Sequence, residues 1–167
     1  MKLRRAALLV AAAAALTFLF GASGHRGAWP ADWFIIAVAT VARQGNFVQA
    51  VLTGAAAGLL EDALTQQLLG FNAFAKSAIG YGLALVAIRV IVGGPLAVGA
   101  TLAAASIAND VIVALLASLL TQAPVVVFSR DALWRAAATG VTAGALEAAA
   151  RFSWRDWWEK RRLRRLR

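Results

Sequence analysis

Leu96-Ala-Val-Gly-Ala-Thr-Leu-Ala-Ala-Ala-Ser106-Ile-Ala-Asn109-Asp110-Val-Ile-Val-Ala-Leu-Leu-Ala-Ser-Leu-Leu120 is the stretch that decides the fold class, because Asp110 is its only charged residue. It exceeds the run of about 20 apolar residues that crosses a hydrocarbon core about 30 Å thick. Across the 167 residues, 61% are hydrophobic and 15% charged, against about 25% charged in ordinary soluble domains. A soluble helical core would need amphipathic faces, and the polar faces are nearly absent. The expectation is an all-α, polytopic transmembrane helical bundle.

Working outward from that stretch, Gly93-Gly94-Pro95 closes a preceding apolar run, Ala73–Val92, for which Asn72 is the candidate cap. Before it comes Phe47–Leu69, with Gly70 as a plausible left-handed residue just past the helix end. Trp33–Ala42 is a short apolar run with Asp32 as its N-cap and Pro30 setting the turn; it ends at the polar Arg43-Gln-Gly-Asn46. Ala6–Phe20 follows the basic Met1–Arg5 and precedes Gly21-Ala-Ser-Gly24, which has the outline of a signal peptide. It is read instead as the first transmembrane helix, because cleavage would break the topology that follows. After Leu120, Asp131 opens a sixth segment running to about Ala150. The expected organisation is thus a six-span bundle over residues 1–150 and a basic, Trp-rich tail over 151–167.

Six spans place both termini on one side. Lys and Arg at the two ends and in loops two and four number thirteen, against four (Arg26, Lys76, Arg130 and Arg135) in the other loops. The positive-inside rule then puts both termini in the cytoplasm. Eight of the seventeen basic residues lie in Arg151–Arg167, directly after the last apolar segment. A basic cluster there reports topology and anionic lipid rather than nucleic acid, despite a net charge of +9. Within it Trp154, Trp157 and Trp158 share one helical face, suited to the headgroup region. The chain has no cysteine and one histidine, His25, which excludes disulfides, thiol chemistry and metal sites built on Cys or His. No cofactor is expected.

The polar residues inside the apolar runs are the functional candidates, since a charge at membrane depth is costly. Gly54-Ala-Ala-Ala-Gly58 and Gly140-Val-Thr-Ala-Gly144 each put two glycines on one helix face, where a neighbouring backbone approaches closely. They are read first as packing within the chain and second as partner-binding surfaces. Asp62 and Lys76 flank the Gly70-Phe-Asn72 turn at similar depth and form a candidate ion pair; Glu61, about 100° away around the helix, is expected at an interface or in solvent. Asp110 is expected to be protonated inside the bundle, bonded to groups such as Ser106 or Thr139. Two intramembrane aspartates raise an aspartyl protease, but Asn72-Ala-Phe-Ala lacks the aspartate that a lipoprotein signal peptidase motif would carry next.

The order of these motifs resembles the MreD family of bacterial rod-shape determination, across nearly the whole chain. Pro30-Ala-Asp32-Trp33 opening a short second span, Gly54…Gly58-Leu-Leu-Glu-Asp62, Leu69-Gly70-Phe-Asn72-Ala, Gly80-Tyr81 and Asp110 are similar to its pattern. Gln66-Gln67-Leu68 departs from it, where the family tends to have small turn residues. The resemblance implies a non-enzymatic scaffold acting with MreC, a single-span protein, alongside MreB filaments, RodA and a penicillin-binding protein. It implies a fold similar to the substrate-binding subunits of energy-coupling-factor transporters. That similarity supplies the rival expectation, a small-molecule-binding transporter subunit. Such a subunit needs convergent polar and aromatic groups, and polarity on that side is limited to Asp62, Gln66, Gln67, Asn72 and Lys76.

Overall fold

A computed structural model describes residues 3–22, 31–65, 69–89, 93–121 and 129–152. These residues form six helices: α1 (Leu3–Ala22), α2 (Trp33–Ala42), α3 (Phe47–Thr65), α4 (Phe71–Arg89), α5 (Pro95–Thr121) and α6 (Arg130–Arg151). The protein is an all-α bundle, and α3, α4 and α5 are long and apolar enough to cross a membrane. The rows of Gly, Pro and polar residues between apolar runs do stop the helices, as expected. The fourth helix nevertheless begins at Phe71, so Asn72 lies inside its first turn rather than capping it; α6 begins at Arg130, with Ser129 as its cap accepting from the Ala132 amide at 3.1 Å. Gln66, Gln67, His25 and the tryptophans of the tail lie outside the described residues.

The division between buried and exposed residues suits an apolar surrounding. Leu52, Leu59, Leu64, Phe74, Leu115 and Leu119 face outward, while Asp62, Lys76, Ser106, Asn109 and Thr139 are buried. A third or less of each long helix is covered by the rest of the bundle. In water this would strand a very large apolar surface; in hydrocarbon it is the required arrangement. Hydroxyls obey the same constraint. Thr17, Thr53, Thr101 and Thr142 each donate to the carbonyl four residues back, at 2.9, 2.7, 2.8 and 2.7 Å, so no hydroxyl of this set is left bare.

With little hydrophobic force between helices in lipid, close packing must hold them, and glycines make it possible. A Cβ on Gly54 would collide with the Lys76 carbonyl, and one on Gly58 with the backbone of Asn72 and Ala73. On α4, a Cβ on Gly80 would lie 2.6 Å from the Ala50 carbonyl oxygen. These contacts press α3 and α4 into an antiparallel hairpin. Gly99 and Gly140 do the same for α5 and α6, where an added Cβ would lie 2.7 or 2.8 Å from the facing carbonyl, and Gly144 sits over Pro95. Gly54, Gly58, Gly140 and Gly144 are therefore contact points between helices of this chain.

The ten residues of α2 extend only about 15 Å, half a hydrocarbon thickness. This helix is the hub. Phe34, Ala37 and Val38 pack with Val10 and Ala13 of α1 and Ala57 of α3, while Ile35 and Ala39 pack with Ile79, Val98, Leu102 and Ala143 of the other three helices. Being short and enclosed, α2 brings its N-terminal Asp32 into the bundle interior, roughly 15 Å from its other end at Arg43.

Candidate functional site

Asp32 is the centre of a buried polar network. Its Oδ1 accepts from the Ile35 amide at 2.9 Å, capping α2, and its own amide donates to Thr139 Oγ1 at 2.9 Å. Oδ2 faces Lys76 Nζ of α4 at 3.1 Å, and Glu61 Oε2 of α3 approaches the same ammonium at 2.5 Å. Lys76 is fully buried, so its charge is held by two carboxylates from two other helices. A buried ammonium with one partner removed is strongly destabilising, which makes this triad a lock among α2, α3 and α4.

The expected Asp62–Lys76 pair does not form. Asp62 faces the turn of its own hairpin instead, where Oδ2 accepts from the Gly70 amide at 2.8 Å and Oδ1 from the Asn72 side-chain amide at 2.8 Å and its backbone amide at 3.3 Å. The physical reason is the supply of donors: amides of the first turn of a helix have no partner within it, and the short Asp62 side chain reaches them directly. Glu61, one methylene longer and turned toward the interior, reaches Lys76 rather than solvent. Gly70 has φ +109°, a conformation that favours glycine, and its amide is thereby aimed at Asp62.

Asp110 is likewise not the lone carboxyl expected. Arg135 Nη2 donates to its Oδ1 at 2.8 Å. Arg135, counted among the loop charges in the sidedness tally, lies within α6 and faces Asp110 of α5. The two networks are continuous, because Thr139 Oγ1 donates at 2.8 Å to the Arg135 carbonyl while accepting from Asp32. Ser106 Oγ, Asn109 Oδ1 and Asp110 Oδ2 are buried and meet no hydrogen-bond partner among the described residues.

A second charged group lies at the opposite end. Glu147 of α6 accepts from Arg43 Nη1 at 2.6 Å and from Arg151 Nε at 2.7 Å. The hydrogen bond to Glu147 raises the Arg43 pKa above its ordinary value, so that cation persists. Near it, α2, α4, α5 and α6 line a half-open cavity of about 490 Å³. Comparison of the chain with protein-family models, curated proteins and solved structures gives no match.

Of the residues singled out from sequence, Asp62, Gly70, Asn72, Gly54 and Gly58 meet at the α3–α4 hairpin, with Lys76 just below; Asp110 joins through Arg135 and Thr139. Gly140 and Gly144 lie at the α5–α6 contact, away from the charges. Sequence reasoning missed Arg135 and Glu147 as network members, expected Thr139 beside Asp110 rather than on the Asp32 amide and the Arg135 carbonyl, and gave Asp32 only its capping role. The usable signal for Asp32 was its position opening a helix too short to reach the surface, which makes its second oxygen available inside.

Proposed function

We propose that this protein is a non-enzymatic integral-membrane scaffold of the bacterial cell-elongation complex, holding a single-span MreC-like partner beside MreB, RodA and a penicillin-binding protein. One observation carries the reading. Seven of the residues on which the resemblance to MreD rests lie at the contact of α2, α3 and α4: Asp32 and Glu61 on Lys76, Asp62, Gly70 and Asn72 at the hairpin turn, and Gly54 and Gly58 where the α3 and α4 backbones meet. Their carboxylates are engaged by ammonium and amide groups of the chain, the arrangement of a part that must keep its shape. An acid–base catalyst needs a carboxyl within reach of a substrate proton, whereas these are turned to neighbouring helices.

Charge distribution supports a bacterial inner-membrane location with both termini cytoplasmic. Among the described residues, the end bearing Arg4, Arg43, Arg89 and Arg151 has Glu147 as its carboxylate, whereas Lys76, Arg130 and Arg135 at the other end face five acids. Under the positive-inside rule the arginine end is cytoplasmic, and the basic tail continues from it.

The rival, a small-molecule-binding subunit of an energy-coupling-factor-type transporter, draws on the 490 Å³ cavity, which is large enough for a vitamin-sized ligand. Against it, the walls offer a water-soluble ligand no convergent polar groups, since Thr40 and Thr101 donate to their own helices. Affinity purification in mild detergent separates the two readings. The scaffold predicts a stoichiometric single-span polypeptide in the eluate. A tightly held vitamin-like molecule with no such polypeptide favours the transporter subunit.

A further inference from the structure

The cavity at the arginine end has the make-up of a lipid seat. The backbones of α4 and α6 stand apart, and the space between them is lined by α2 and α5 as well. Its walls are apolar, including Ile36, Leu83, Val86, Leu102, Ala143 and Leu146. Thr40 and Thr101 also line it, but each donates its hydroxyl proton to its own helix, to Ile36 O and Ala97 O at 2.8 Å. Along α6 the lining runs from Ala143 to Ala150, about 10 Å in depth. Leu146 is half exposed, so the slot opens sideways onto the surface that faces lipid.

The mouth is cationic. Arg43 and Arg151, both about half exposed, flank Glu147. Two guanidinium charges against one carboxylate leave a net +1, and Arg89 ends the α4 wall at the same level. Each of the two arginines spends one of its five N–H donors on Glu147, which leaves donors suited to a phosphate. An apolar slot beneath a cationic mouth, open to the bilayer, complements an anionic amphiphile. Basic pockets between membrane helices on the cytoplasmic side are where anionic headgroups bind. A water-soluble ligand would find no convergent polar groups in these walls to orient it.

We propose that the α4–α6 cleft binds one anionic phospholipid, with an acyl chain in the slot and its phosphate against Arg43 and Arg151.

The test uses the full chain, delipidated in detergent and titrated with dioleoyl phosphatidylglycerol, dioleoyl phosphatidylcholine or inorganic phosphate, with bound species counted by native mass spectrometry. One phosphatidylglycerol per chain is expected, in clear preference to phosphatidylcholine. Arg43→Gln with Arg151→Gln should weaken it about 25-fold, and Ala87→Phe, which fills the slot and leaves the charges alone, should also weaken it. Circular dichroism on the same samples monitors folding, and the wild-type lipid comparison needs no variant at all. Equal retention of phosphatidylcholine, displacement of the lipid by millimolar inorganic phosphate, or retention unchanged in folded variants would overturn the proposal. So would a photo-crosslinker at Ala87 that captures protein, whether this chain's tail or another polypeptide, in place of lipid.

Discussion

Replacing Lys76 with Met removes the ammonium and keeps most of the side-chain volume, leaving Asp32 and Glu61 facing each other in the bundle interior. The distances of 3.1 and 2.5 Å correspond to a gross attraction of about 5–7 kcal/mol each at an effective dielectric near 20. Desolvation of the fully buried ammonium offsets much of that. The measurable quantity is the cost of breaking one side of a buried pair, about 3–5 kcal/mol. For a chain of this size that is a fall in melting temperature of about 6–20 °C. Glu61→Gln is the informative contrast. It leaves Lys76 and Asp32 as a one-to-one pair and preserves an acceptor, so it should cost only about 1 kcal/mol. The assay is thermal unfolding of both variants in one detergent, followed by tryptophan fluorescence. A Lys76→Met protein melting within about 2 °C of wild type, or a Glu61→Gln protein that is the less stable of the two, would refute the triad as the lock of the bundle.

Further outcomes follow from neighbouring contacts. Asp62→Ala strands the Gly70 and Asn72 donors and should lower stability by about 2–4 kcal/mol, read in the same unfolding assay; a neutral result would mean that the turn holds itself. Gly58→Ala should unfold the protein or shift its melting point sharply, because its Cβ would meet the Asn72 backbone, whereas Gly82→Ala, with open space around it, should change stability by less than about 1 kcal/mol. Equal effects at the two glycines would count against the α3–α4 contact. Asp110→Asn keeps the shape and one acceptor for the half-exposed Arg135, and should cost no more than about 1 kcal/mol; complete unfolding would be the contrary result.

The helical architecture was legible because helix-stopping residues are sharp here. Trp33–Ala42 with its Asp32 cap has the boundaries read from Pro30, Asp32 and Arg43-Gln-Gly-Asn46. Glycine spacing likewise marked faces of close approach, though not which helix would fill them. Ion-pair partners were not legible. Lys76 is 44 residues from Asp32, and nothing local distinguishes that acid from Asp62, which is nearer in sequence. Arg135 was counted with the loop charges although it falls inside the segment opened by Asp131, and its partner Asp110 lies 25 residues away on another helix, beyond any local pattern. The Asp62 error has a similar origin. Side-chain pairing by charge is easy to imagine from sequence, whereas backbone amides left free at a helix start are invisible until the turn is built.

Under the proposed function, the buried polar network braces a scaffold and neither carries protons nor cleaves bonds. Rod-shape complementation by the double variant Glu61→Gln/Asp110→Asn, in cells lacking their own MreD, tests it most directly. Both substitutions remove a titratable carboxyl while keeping shape and hydrogen-bond acceptors. The scaffold account predicts full rescue of rod shape. Loss of rescue by a variant that folds normally and still captures its single-span partner would contradict it.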